Sequence, residues 1–361
     1  MKNLYVAIAG ICLSVASGYA KIPLNLLPTE KEKVAFLNEA DDFIDDMAEG
    51  LQDRQCDAVL HAMRGQTGEL ANVRMSRDSV VKVPDSVECR NIIGDGSARG
   101  MKMRLYRPRT ASSKGDLPLL LYFHGGGWAF GSLNSCSAFC SAVAAAGEAM
   151  VLAVDYSLAP ENPFPSGLLD CVAAVEYAKD HVAEWGGGSI SLGGDSAGGN
   201  LAVATALYMM DQADPVALKS LVLFYPVVKA YADGSSSWKE YSRGYGLDSR
   251  LMNAFNEAYL NSVSGSGDAT AGNADARNPL VSPAEAGTDK LSKLPPVLII
   301  GAERDILYDQ GREFAGTLKK CGNDVEHISF PGAIHLFMTV EGQPTAFSKA
   351  VALTSAFLDN I

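Results

Sequence analysis

Four short, unbroken apolar runs, at residues 119–123, 151–154, 221–225 and 297–300, do most to limit what this chain can fold into. A run of that length with no polar face must be covered on both sides, as the inner strands of a parallel sheet are. Between the runs lie stretches with apolar residues at helical spacing, such as Leu168, Val172 and Val175, and Phe314 with Leu318. Residues 101–106 instead alternate apolar with polar, as a half-buried strand does. Strand and helix in alternation predict an α/β fold, a mostly parallel central sheet with helices on both faces. Sheets of this kind bind ligands beyond the carboxyl ends of their strands.

With 361 residues, 47% of them hydrophobic, the chain holds one large domain or one domain with a cap. Its formal charge of -12 repels phosphate backbones and anionic membrane surfaces, which argues against nucleic acid as a partner. Residues 1–20 carry one charge, Lys2, then an apolar stretch from Leu4 to Ala16, then Gly18 and Ala20 ahead of Lys21. This reads as a secretory signal peptide cleaved after Ala20 and predicts a secreted or periplasmic protein. The stretch is short for a bilayer span and is broken by Gly10 and Ser14, so no stable membrane span is expected after cleavage. Six cysteines follow the leader, Cys56, Cys89, Cys136, Cys140, Cys171 and Cys321, an even set compatible with disulfides in an oxidising compartment. No Cys-x-x-Cys or His-Glu-x-x-His spacing occurs, and no metal is expected.

Residues 21–88 read as an acidic helical region ahead of the sheet. Thr29-x-x-Glu32 fits a capping box, and Phe36, Ala40, Phe43 and Met47 recur on one helix face. Residues 231–276 interrupt the later alternation with Trp238, Tyr241, Tyr245, Phe255 and Tyr259, followed by a Gly/Ser-rich loop at 262–273. Both regions are expected to contribute to a cap over the domain at 89–361. Their aromatics, with Phe36, Phe43 and Met47, are expected to line the ligand pocket.

The chemistry sits between these elements. Ser-Ile-Ser-Leu at 189–192 runs into Gly194-x-Ser196-x-Gly198 and a helical stretch. A serine lifted on a sharp strand-to-helix turn needs small residues two positions to either side, where a Cβ would strike the neighbouring strand and helix. Ser196 is therefore the candidate nucleophile. The run at 119–123 ends in His124-Gly125-Gly126-Gly127-Trp128, whose glycines leave backbone N–H groups unshielded, as an oxyanion hole requires. Glu303, Asp305 and Asp309 follow the run at 297–300, and His335 follows a short strand at 327–330. His335 is preferred over His61, His181 and His327 because it lies in a loop after the last strand, downstream of the acid. The order Ser196, Asp305, His335 is the order an α/β-hydrolase triad takes.

These segments resemble the hormone-sensitive-lipase-like family of α/β-hydrolase carboxylesterases. The likeness rests on His124-Gly-Gly-Gly127, Asp155-Tyr-x-Leu-Ala-Pro-Glu161, Gly194-Asp-Ser-Ala-Gly-Gly199, Asn278-Pro-Leu-x-Ser-Pro283, Asp305-Ile-Leu-x-Asp309 and His335-x-Phe337, in that order. It departs from the family's pattern at Asn162, often His there, and at Ser157, often Arg. The resemblance implies an α/β-hydrolase fold with a helical cap, a small-molecule ester substrate of short to medium acyl length, and no cofactor. It implies Ser196 as nucleophile, His335 as base and then acid, and Asp305 as the group that orients His335. Gly126, Gly127 and Ala197 would supply the oxyanion-hole N–H groups, and His124 would support their loop. Amidase, formamidase or lactonase chemistry would use the same apparatus. A non-catalytic binding protein on this scaffold would be expected to lack a triad residue, and here all three are present.

Overall fold

The structure is a computed structural model and describes residues 22–110, 116–261 and 274–361. The leader read at 1–20 and the loop read at 262–273 lie outside the described residues. Three helices come first, α1 (Glu30–Asp46), α2 (Leu51–Ala62) and α3 (Gly68–Ser76). Then follow β1 (Val87–Ile93), β2 (Lys102–Pro108), β3 (Leu117–Phe123), α4 (Ser137–Ala145), β4 (Met150–Val154), α5 (Ser166–His181), β5 (Gly187–Asp195) and α6 (Ala197–Met209). The chain continues with β6 (Leu218–Phe224), α7 (Ser236–Glu240), α8 (Ser249–Leu260), α9 (Thr288–Leu291), β7 (Val297–Arg304), α10 (Tyr308–Lys320), β8 (Val325–Ile334) and α11 (Pro344–Asp359).

The strands form one sheet in the order β1-β2-β4-β3-β5-β6-β7-β8. β2 runs antiparallel to both its neighbours, and every other pair is parallel. The predicted strands are the apolar centres of longer ones: β7 continues to Arg304, and β8 spans Val325–Ile334. Successive side chains of a strand point to opposite faces. Leu119, Leu121, Phe123, Leu221, Leu223, Val297 and Ile299 accordingly join one buried cluster, which takes in apolar residues of α5, α6 and α10. Leu120, Tyr122, Val222, Phe224, Leu298 and Ile300 join the other, with residues of α4 and α11. The runs are unbroken because both faces are covered.

The first helix belongs to this second layer. Thr29 and Glu32 form the reciprocal capping box, and Phe36 stacks on Phe330 of β8 with ring centroids 4.8 Å apart. Burying a side chain of that size contributes about 1.5–3 kcal/mol. α2 packs instead on α3 and α8. All six described cysteines are free thiols, four of them buried, so the even set does not form a disulfide framework among the described residues. Burial pushes the Cys140 and Cys171 thiols up, which makes them small apolar core residues. No helix among the described residues is long and apolar enough to cross a membrane.

The chain leaves β3 toward β4 on one side, then returns across β3 to β5 on the other. At such a switch point the loops that follow the two strands diverge and open a crevice. The glycine loop follows β3, and Ser196 follows β5.

Candidate active site

β5 ends at Asp195 and α6 begins at Ala197, leaving Ser196 alone at the turn with φ 55° and ψ -117°. A Cβ on Gly198 would fall 1.9 Å from the Phe123 carbonyl oxygen, and one on Gly194 would fall 2.4 Å from the Gly198 carbonyl carbon. Glycine is thus required at both places. The turn is held from outside: Ser196 N–H donates to the Phe224 carbonyl (2.9 Å), and its own carbonyl accepts from Val227 N–H (3.1 Å). A backbone in this region costs about 1–3 kcal/mol, which such surroundings must over-determine.

His335 follows β8 directly and brings Nε2 to 3.1 Å from Ser196 Oγ, while Nδ1 lies 2.6 Å from Asp305 Oδ2. The second Asp305 oxygen accepts from Leu307 N–H at 3.0 Å. All three side chains are buried. The neighbouring carboxylates are engaged elsewhere. Asp309 accepts from Ser237 N–H and pairs with Arg312, and Glu303 accepts from Gly332 N–H. Three other histidines take no part in this relay: His61 meets Glu69, His181 meets the Tyr177 carbonyl, and His327 sits within β8. A residue that sequence reading did not single out, Tyr225, packs its ring 4.4 Å from that of His335 and accepts from Met338 N–H (3.2 Å). It braces the histidine loop from β6. Its only signal in the sequence is a polar aromatic at the end of an apolar run.

The glycine loop has Gly126 at φ 109° and Gly127 at φ 59°. Neither N–H donates to an acceptor among the described residues. Ala197, the first residue of α6, likewise has no carbonyl one turn back in the helix. Gly127 must be glycine because a Cβ would fall 2.1 Å from the Phe255 ring. His124 lies under the loop, with Nδ1 2.9 Å from the Gly125 carbonyl and its ring stacked on Tyr156 at 4.3 Å. Burial holds its pKa below the ordinary imidazole value, so it is neutral at pH 7 and supports the loop as an N–H donor. Asp195 ties loop to elbow, accepting from Tyr122 Oη (2.9 Å) and Gly125 N–H (3.0 Å). Its burial pushes the carboxyl up, against the pull of those same hydrogen bonds.

These groups open into a cavity of about 1000 Å³. Leu247, Leu251 and Phe255 of the predicted cap segment line it, together with Phe130, Gln55 and Arg77. Trp238, Tyr241, Tyr245, Tyr259, Phe36, Phe43 and Met47 do not, contrary to the sequence expectation. Phe36 is spent on Phe330, Tyr259 stacks on Trp128 at 4.3 Å, and Tyr241 meets Tyr245 edge-on at 5.0 Å. Helical periodicity finds a buried face but cannot say whether the face meets a core or a pocket. Arg77 and Gln55 escaped notice because each is an isolated polar residue in a helical region without a motif. No group of three or more His, Cys, Asp or Glu among the described residues could hold a metal ion.

A family model described as alpha/beta hydrolase fold matches residues 120–339. A carboxylesterase of Mycobacterium tuberculosis is 34% identical over 245 residues, which cover 67% of this chain and 73% of that protein. An arylesterase of Saccharolobus solfataricus is 33% identical over 265 residues, 72% of this chain and 79% of the other. Among solved structures, an ester hydrolase from the metagenome of Lake Arreo, complexed with a bipyridine phosphonate derivative, superposes with a TM-score of 0.71. It is 29% identical and covers 89% of this chain and 99% of its own. Sheet order, elbow, glycine loop and these likenesses agree, and the chain belongs to the α/β-hydrolase family, in its hormone-sensitive-lipase-like branch.

Proposed function

We propose that this carboxylic ester hydrolase cleaves short to medium acyl esters through a serine acyl-enzyme. The observation that carries the reading is the unbroken relay Asp305–His335–Ser196, set beside three backbone N–H groups with no partner among the described residues. A serine hydroxyl is a weak nucleophile and needs a base within reach. His335 Nε2 takes the proton as Ser196 Oγ attacks the ester carbonyl, and Asp305 holds the ring in the tautomer that leaves Nε2 free. The carbonyl oxygen becomes an oxyanion, stabilised by the N–H groups of Gly126, Gly127 and Ala197. Collapse expels the alcohol, which takes the proton from His335. Water, deprotonated by the same nitrogen, then attacks the acyl-enzyme and releases the acid. The cavity, with α2 and α8 as its cap, has room for an acyl chain of that length.

The test is a pre-steady-state assay with 4-nitrophenyl butyrate. A burst of one nitrophenol per active site is expected, and a fluorophosphonate should add its mass at Ser196. Ser196→Ala should lower kcat at least about 1,000-fold. Activity within tenfold of wild type in that variant, or labelling at another residue, overturns the assignment. Faster cleavage of the matching anilide than of the ester would shift the reading to an amidase. The leader read at 1–20 carries the companion proposal of a secreted or periplasmic protein, for which sequencing of the mature chain should find Lys21 first.

A further inference from the structure

Arg77, at the end of α3, reaches the cavity that holds Ser196, His335 and the glycine loop. Its guanidinium lies 5.7 Å from the centroid of Phe130. Phe130 meets Phe255 edge-on at 5.0 Å, and Phe255 fills the space beside Gly127. A single aromatic pair therefore separates this cation from the glycine loop. Arg74, one turn earlier, fixes the end of the helix, donating to the carbonyls of Ala129 (2.8 Å) and Ala159 (2.9 Å) and pairing with Glu161 (2.8 Å). Arg74 is fully employed, whereas the Arg77 guanidinium makes no hydrogen bond and no ion pair among the described residues, only the Arg77 backbone N–H being bonded, to the Arg74 carbonyl. The Gln55 amide, 5% exposed and in the same cavity lining, also has no partner there.

No anion nearby forms an ion pair with Arg77 among the described residues, and Asp195 acts on it only through its charge. Asp195 is committed to Tyr122 and Gly125, and Glu39 of the lining accepts from Thr345. Asp42 and Glu341, also in the lining, are exposed. Partial burial lowers the Arg77 pKa and the Asp195 charge opposes that, but a guanidinium stays protonated throughout. A half-buried cation with unfilled donors is unfavourable until an anion meets it, and its planar fork matches a carboxylate.

We propose that Arg77, with the Gln55 amide, binds a carboxylate carried by the substrate, so that this site favours esters bearing a free carboxylate. The proposal rests on the esterase reading above. Beyond the screening distance of roughly 8 Å the chain's net negative charge does little to oppose it.

The test compares kcat/KM for charged and neutral esters in two arms. Monoethyl glutarate against ethyl butyrate places the carboxylate in the acyl part, and acetoxyacetate against ethyl acetate places it in the alcohol part. Arg77→Gln should lower the charged-to-neutral ratio roughly ten- to hundredfold in at least one arm, as expected for a lost charge-assisted hydrogen bond. The arm that falls identifies the side of the ester recognised. Arg77→Lys should lose less, and Arg64→Gln, which removes the same charge from exposed surface, should leave the ratio unchanged. A ratio that stays within twofold of wild type in both arms for Arg77→Gln overturns the proposal, as does an equal loss in Arg64→Gln. Failure of the wild type to turn over ethyl butyrate would instead overturn the esterase reading.

Discussion

The two walls of the cavity meet at Gly127 and Phe255, yet they are held by different forces. On the sheet side Ser196, Asp195, Asp305 and His335 are buried, and each is fixed by hydrogen bonds from the strands or from the loops that end them. On the outer side α2 and α8 share a buried apolar contact, and their polar ties are mostly exposed pairs, Arg250 to Asp53 and Asp57, with Arg243 ahead of α8 also meeting Asp53. One buried amide, Gln52, adds bonds to Gly246 and Asp248. Exposed pairs contribute about 0–1 kcal/mol each, whereas removing one partner of a buried network leaves the other unsatisfied at about 1–3 kcal/mol or more. The proposed reacting groups therefore stand on a wall that tolerates little change. On the proposed reading, ligand choice falls to a wall that can be altered side chain by side chain.

The contrast is most exposed to failure at the acid. Asp305→Asn should reduce kcat by roughly 1,000- to 10,000-fold, because an amide can hold His335 in the wrong tautomer. Asp309→Asn, four residues on, alters a carboxylate bound to Ser237 and Arg312 and should chiefly cost stability. Steady-state rates beside melting temperatures separate the two effects. If Asp309→Asn proves the more damaging to kcat, the relay has been drawn through the wrong acid.

The same contrast explains what could be read from the sequence. Inner strands buried on both faces must be apolar throughout, so 119–123 and 297–300 announce themselves. Edge strand β1 has only Val87 and Ile92 buried, and its pattern is lost among polar residues. Ser196, Gly198 and Gly127 were legible because the backbone there admits few residue types. Arg77 and Gln55 were not, since a helix accepts almost any polar residue and only the fold brings these two to the cavity. The stripe with Phe36 was legible as a buried face but not as to what it meets, which proved to be Phe330.

Phe255 and Phe36 sharpen that last point. Phe255→Ala should enlarge the cavity and raise the octanoate-to-acetate ratio of kcat/KM by about tenfold, the scale that pocket contacts of a few methylenes provide. Phe36→Ala should leave the ratio alone and destabilise the fold by about 3–5 kcal/mol, as loss of a buried aromatic does. Should Phe36→Ala change the ratio as much as Phe255→Ala, the Phe36 face of α1 belongs to the ligand wall beside Glu39 and Asp42 after all.

The smallest expected effect tests the claim that the sheet side serves its polar groups, for His327 is an exception to it. This histidine lies in β8 away from the cavity, with Nε2 buried and without a partner among the described residues, and the Tyr308 ring 6.5 Å away. Burial, reinforced by the positive charges of Lys319 and Arg312, pushes its pKa down to about 4. An unfolded chain protonates this histidine below about pH 6.5, while the folded protein resists until about pH 4. Between those values the unfolded state binds the extra proton, so folding stability falls as pH falls through the window, and the loss levels off below it. The shift sets an upper bound of about 3 kcal/mol, and partial solvent access should bring the effect to the order of 1–2 kcal/mol. His327→Gln removes the titration without removing polarity. Urea unfolding at pH 7.0 and 4.5 should show a smaller loss of stability in the variant than in the wild type. Parallel losses would mean that His327 is solvated in the folded protein.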